Sequence, residues 1–129
     1  MILDADMKTI INDCDWIAIA TCKGKACQLS TLHMIAVWEA VILDNDTLGM
    51  YAGGMFKTAE NLKSNPKAQL LVTSKKHKKG YRFLGTAELI PKAALDERMT
   101  ERMFKANKDF FNIAHSMLIV KVDKAFKLI

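Results

Sequence analysis

Strand-like runs follow one another along most of this chain with little more than a turn between them, and that succession constrains the fold more than any other feature. WIAIAT, residues 16–21, is a short apolar run bounded by Asp15 and by Lys23-Gly24-Lys25, as in a buried strand entering a hairpin turn. Residues 26–43 are rich in β-branched and aromatic side chains and predict two more strands. Asp44-Asn45-Asp46 reads as a turn, and residues 48–52 and 68–73 read as further strands. Over residues 81–89, Tyr81, Phe83, Ala87 and Leu89 share one face while Arg82, Thr86 and Glu88 take the other, the two-residue period of a half-buried strand. Residues 117–122 predict a strand, and the tail AFKLI predicts a strand edge. A parallel sheet would need a crossover helix after nearly every strand. Helical patterns are too few for that. One stripe holds Leu3, Met7, Ile10, Ile11 and Cys14, and a brief helix after Lys57 is stopped by Asn65-Pro66. A third, opened by Pro91, repeats Leu95, Met99 and Met103 every four residues. The expectation is a mainly β domain over residues 1–129, with about seven antiparallel strands in a closed or partly closed sheet and peripheral helices.

Composition narrows the functional classes. The chain has 129 residues, enough for one real core, with 50% hydrophobic and 26% charged residues. No uncharged apolar run reaches ~18 residues, so no membrane helix is expected. MILDADMKTI has acids where a secretory signal carries basic residues, so a cytoplasmic location is expected. The three cysteines, Cys14, Cys22 and Cys27, argue against a disulfide framework, and with His33, His77 and His115 scattered no metal site is expected. Net charge is +5, concentrated at Lys75, Lys76, Lys78 and Lys79. That run is a solvated turn between strands or a source of attraction for an anionic partner. Nucleic-acid binding needs a wider basic face with interleaved aromatics, and only His77 and Tyr81 stand here, so it is not expected.

The most informative stretch is GGMFKTAENLKSNP, residues 53–66. A triphosphate-binding loop needs glycine directly before the lysine and another five residues earlier; here Phe56 precedes Lys57, so that loop is excluded. A simpler anion cradle survives. Gly53-Gly54 let a strand end turn and approach a ligand closely. Lys57 and Thr58 then stand at a helix start, where free N–H groups and partial positive charge collect. A phosphate monoester, with about −1.5 to −2 charge, suits that setting. The competing reading is a plain Gly-Gly turn with Thr58 as an N-cap. A second polar cluster, Ser30-Thr31-Leu32-His33, reads as part of a strand. Its hydroxyls serve cross-strand hydrogen bonds or line a site for a planar heterocycle.

Taken together, DWIAIAT, QLSTLH, YAGGMFKTAENLKSNP and GYRFLGTAEL resemble the FMN-binding split-barrel proteins related to pyridoxamine-phosphate oxidase, most of all the small bacterial FMN-binding proteins. The resemblance covers roughly residues 10–125. It implies a six- or seven-stranded split barrel, and a homodimer holding two FMN molecules at the subunit interface. Lys57 and Thr58 would hold the FMN phosphate. Gln28, Leu29, Ser30, Thr31, Leu32 and His33 would border the phosphate, ribityl chain and flavin ring. Tyr51, Ala52, Gly53, Gly54 and Met55 would lie beneath the flavin. Tyr81 and the lysine turn would face the partner subunit. The resemblance departs from the oxidase itself. Neutral residues replace the basic phosphate ligands of its second strand, and the tail VDKAFKLI lacks its substrate-gripping arginine, histidine and tyrosine motifs. Pyridoxamine-phosphate oxidation is therefore not expected. The functional expectation is an FMN flavoprotein acting as an oxidoreductase or electron carrier, with a nicotinamide donor or a redox partner protein. The alternative is a flavin store or sensor without turnover. No acid–base triad is visible, and none is needed where the flavin does the chemistry. Leu32, Trp38 and Met55 are apolar flavin surroundings or simple core.

Overall fold

The computed structural model describes residues 2–129. The chain runs α1 (Ala5–Asn12), β1 (Trp16–Cys22), β2 (Leu32–Val37), β3 (Val41–Ile42), β4 (Thr47–Ala52), α2 (Phe56–Ser64), β5 (Lys67–Ser74), β6 (Lys79–Pro91), one 3-10 turn (Lys92–Ala94), α3 (Glu97–Ala106), α4 (Lys108–Ile113) and β7 (Ser116–Lys127). The strands form one seven-stranded sheet in the order β2-β1-β5-β6-β7-β4-β3. Every neighbouring pair is antiparallel.

Inward side chains of β1 (Ile17, Ile19), β4 (Leu48, Met50), β5 (Leu70, Val72), β6 (Phe83) and β7 (Leu118, Val120) belong to one buried cluster. Since β1 and β4 stand far apart in strand order yet share that core, the sheet is rolled on itself, as a split barrel is. β4 and β7 are also covered on their outer face. There Tyr51, Met117 and Ile119 pack with Met99 and Met103 of α3, Phe111 of α4, and Ala114. Residues of both parities along β7 are therefore apolar, as a strand buried on both faces requires. Gly49 makes room for α3, because a Cβ there would meet the Met103 sulfur at 2.7 Å.

Helix starts follow the sequence chemistry. The Met7 amide donates to Asp4 Oδ1, the Met99 amide to Asp96 Oδ1, and the Phe110 amide to Asn107 Oδ1. α1 is further tied to the barrel at Asp6, which accepts from the Tyr81 hydroxyl and from Lys79 Nζ. The Asp44-Asn45-Asp46 turn gathers neighbouring segments: the Ile2 amide donates to Asp46 Oδ1, and the Leu3 and Val122 amides donate to the Asn45 and Asp46 carbonyls.

Several expectations need correction. Ser30 and Thr31 are not in a strand; β2 begins at Leu32, and the Thr31 amide closes a turn onto the Gln28 carbonyl at 3.0 Å. Pro91 does not open the third helix. It ends β6, the last residue at which ring and ladder are compatible, and α3 starts only after Asp96. The AFKLI tail is no separate strand, since β7 runs unbroken through Lys127. Cys22 and Cys27 form a disulfide, a local clip across a five-residue separation with Cα atoms 5.4 Å apart, while Cys14 is free. Parity of the cysteine count could not reveal a clip that leaves one thiol over. Among the described residues no helix is long and apolar enough to cross a membrane.

Two predictions follow from this packing. A Cβ at Gly85 would stand 2.3 Å from the Lys121 carbonyl oxygen, against backbone that cannot yield, whereas one at Gly49 meets a flexible methionine. Gly85→Ala should destabilise the fold by about 3 kcal/mol in urea titration and Gly49→Ala by distinctly less. The chain has two tyrosines. The hydrogen bond from Tyr81 to the Asp6 carboxylate, and then burial, push its phenol up to about 12. Burial, and then the Glu39 charge, push Tyr51 to about 12 as well. A raised phenol pKa favours the neutral form in the fold, so this stabilisation is complete below pH ~10 and is lost as pH rises through ~12. Native protein titrated with alkali should show no tyrosinate absorbance near pH ~10, where urea-unfolded protein shows both groups half ionised.

Candidate functional site

The glycine-to-proline stretch forms the junction between β4 and α2. Met55 occupies the N-cap position of α2 and gives no side-chain hydrogen bond to it. α1, α3 and α4 each have an Asp or Asn cap; α2 has none, so its first-turn amides lack a side-chain acceptor. Lys57, exposed, lies in that first turn with its ammonium 3.9 Å from Glu60, which also meets Lys23 at 3.5 Å. Thr58 is the third helical residue rather than the cap. It is 1% exposed, and its hydroxyl has no hydrogen-bond partner. The carbonyl oxygen of the Asn61 side chain, one turn on, is similarly buried and unpartnered, although its amide nitrogen donates to Thr21 Oγ1 at 3.2 Å.

Neither Gly53 nor Gly54 has positive φ, so a left-handed turn does not explain them. A Cβ at Gly53 would meet nothing within 4 Å. Packing inside the chain leaves that space unused, and a closely approaching ligand would fill it. At Gly54 a Cβ would press on the Phe56 ring at 3.3 Å.

The second group of candidate residues follows β1. Gln28, Leu29, Ser30 and Thr31 are all exposed on the β1–β2 loop, with Leu32 and His33 half-buried at the start of β2. The loop is tied to the end of α2, where the Gly24 amide donates to Ser64 Oγ and Asn65 Nδ2 donates to the Gly24 carbonyl. β2 is an edge strand, paired only with β1. Its outer row of peptide groups is free to meet the polar rim of a heterocycle.

The candidate residues do not share one opening. Ala52, Gly53 and Met55 line a cavity of about 420 Å³ together with Phe56, Ala59, Leu89, His115 and Ser116. Gly53, Met55 and Tyr51 line a second, of about 240 Å³, with Ala36, Val37, Trp38, Glu39 and Phe110. Leu32 lines a third, of about 340 Å³, against the Cys22–Cys27 clip, with Asn65, Lys67 and Asp123. The sequence reading missed Glu39, Phe110, His115 and Ser116. An isolated acid after an exposed tryptophan was the available signal for Glu39; nothing local marked the other three.

Comparison with known proteins places this geometry in a wider group. HupZ of Group A Streptococcus has the same fold at a TM-score of 0.76, with 19% identity over 98% of this chain and 94% of that one. HutZ, the heme storage protein from Vibrio cholerae, matches at 0.65 with 13% identity, covering 98% of this chain and 94% of that one. An F420 reductase matches at 0.65 with 14% identity, covering 92% and 94%. At these identities the likeness is one of fold alone. No curated protein matches the sequence. The family model described as pyridoxamine 5'-phosphate oxidase matches residues 3–125, nearly the whole chain, and this protein therefore belongs to the pyridoxamine 5'-phosphate oxidase family of split barrels.

Proposed function

We propose that this protein binds FMN at the β4–α2 junction and acts as a flavin-dependent oxidoreductase or electron carrier. The observation that carries the reading is the combination at that junction: a helix start without a cap, a lysine in its first turn, and open space beside a glycine that internal packing does not require. First-turn amides and the Lys57 ammonium suit a phosphate monoester, which would supply the acceptor that Met55 does not. Thr58 would be a further donor. Its hydroxyl is unpartnered but closed off from solvent, so using it requires the first turn of α2 to shift. Lys57 and the amides need no such change. Gly53 and Met55 would lie against the ring system, and the free edge of β2, with Gln28–His33 leading into it, offers N–H and C=O groups for its polar rim. When bound, the flavin would supply one- and two-electron chemistry.

A second copy of the chain completes this reading. Large apolar side chains around the site are uncovered: Leu29 is 91% and Phe56 84% exposed. Closure by a homodimer would remove them from water. A haem reading is the alternative, since the fold is shared with HutZ, described as a heme storage protein, and His115 lines the cavity beside Met55.

The absorption spectrum of the purified protein separates the two, because flavin bands released on denaturation and a haem Soret band are distinct. Lys57→Ala should weaken FMN binding by about 1–3 kcal/mol in equilibrium dialysis, the loss of one charge-assisted contact. Gly53→Ala should leave the urea midpoint unchanged while lowering FMN affinity, because its Cβ points into open space. If Lys57→Ala and Gly53→Ala both keep FMN as firmly as the parent, the coenzyme is not at this junction.

A further inference from the structure

The opening of about 240 Å³ beside Gly53 has a chemistry that a neutral flavin pocket does not call for. Its walls are aromatic. Tyr51 and Phe110 meet edge to face, with ring centroids 5.8 Å apart and planes at 79°, and Trp38 stands beside them, largely exposed. Glu39 shares the lining. Its carboxylate is held by Asn107, whose Nδ2 donates to Oε1 at 2.7 Å. The same Asn107 caps α4 through the Phe110 amide, so one residue places both the acid and one ring of the cage.

Glu39 pairs with no lysine or arginine among the described residues. Arg102 lines an adjoining opening with Glu39 and Trp38, and it donates to the Ile42 carbonyl at 2.7 Å. Other cations of this end of the fold are engaged elsewhere: Lys92 stands over Phe111 and Lys108 over Phe104. Tyr51 donates its hydroxyl to the Met103 carbonyl, so it turns a ring rather than a donor toward the opening. A half-buried carboxylate without a counter-ion is costly, and aromatic rings around it offer negative faces to a positive charge.

We infer that this opening is a binding site for a small organic cation whose charge sits on an alkylated nitrogen, with Glu39 as counter-ion and Trp38, Tyr51 and Phe110 as the cage. The volume equals about eight waters' share of the liquid, room for one ring or one trimethylammonium group and not for a dinucleotide. Two ligand sources share this chemistry, N-alkylated pyridinium rings and quaternary ammonium compounds. The site adjoins the proposed coenzyme junction through Gly53 and Met55 but does not depend on it.

The test is calorimetric titration of the purified protein, with and without saturating FMN. One pair of probes is ring-methylated nicotinamide cation against uncharged nicotinamide; the other is choline against its uncharged carbon isostere, dimethylbutanol. At least one cation should bind about tenfold more tightly than its neutral partner, and the pair that shows this identifies the source. Glu39→Gln, which keeps an oxygen to accept from Asn107, should erase that preference without lowering the melting temperature. Trp38→Leu should weaken cation binding and leave the urea midpoint in place. The inference is overturned if neutral isosteres bind as well as the cations, or if Glu39→Gln retains the preference. Cation binding by protein that takes up no FMN would refute the flavin reading and leave this one standing.

Discussion

The long pairing of β6 with β7 holds the barrel together, and an irregularity in it sets the curvature. The register runs from Tyr81 opposite Lys127 to Pro91 opposite Ser116, but it jumps between Leu84–Lys124 and Gly85–Val122, leaving Asp123 as an extra residue on β7. That bulge shifts the parity of β7. Leu118, Val120 and Val122 face the core below it, and Ala125 packs on the core above it. Without the extra residue the inward set would continue through Lys124. Gly85 is the partner that lets the backbones close at this point. The bend brings the edge strand β2 and the next-to-last strand β4 round to the same side, where Ala36–Glu39 border one opening with Tyr51, Gly53 and Met55.

The second layer grows from the same geometry. β4 and β7 bury their outer faces under α3 and α4, so Tyr51 cannot point outward into water and instead bonds the end of α3 through the Met103 carbonyl. Its phenol is held neutral by that burial and by the neighbouring Glu39 charge. Asn107, between α3 and α4, then orients both Glu39 and the first turn of α4. Core packing on one side of a strand thus dictates polar chemistry on the other.

The elements most legible in the sequence were those with a strict period or strong punctuation. Tyr81–Leu89 announced itself because its two faces differ in polarity, and Met99 and Met103 because they repeat at helical spacing. The helix after Gly53-Gly54 was legible at both ends, by its lysine-threonine start and its Asn65-Pro66 stop. QLST was misread because an apolar-polar mixture of small and branched residues fits a loop as well as a strand; only the turn from Thr31 back to Gln28 separates them. The bulge at Asp123 left no sign either. It goes with a close approach of the Lys121 carbonyl to Gly85, where a Cβ would stand 2.3 Å away, a long-range contact that no local pattern encodes.

The candidate site was legible by halves for the same reason. Lys57 stands beside the features that give it meaning, so a short window sufficed. Glu39 and Phe110 acquire theirs only when β2, β4 and α4 meet. Thr58 shows how the two kinds of information can disagree. In the sequence it is a hydroxyl beside a lysine and therefore a natural phosphate donor. In the fold, its helical position turns it toward the barrel, where an unpartnered hydroxyl costs about 1–3 kcal/mol. Such a cost is more often tolerated where a site demands it than where packing alone decides, since valine would fill the same space without the unpaired oxygen. Asn61 lies one turn further along the same helix, buried, with its own carbonyl oxygen unpartnered and its amide on Thr21. The two residues with unpartnered polar atoms therefore lie on the face that anchors α2 to the sheet. An anion at the helix start would reach Lys57 and the first-turn amides without disturbing that face, and only a shift of the first turn would release the hydroxyl of Thr58.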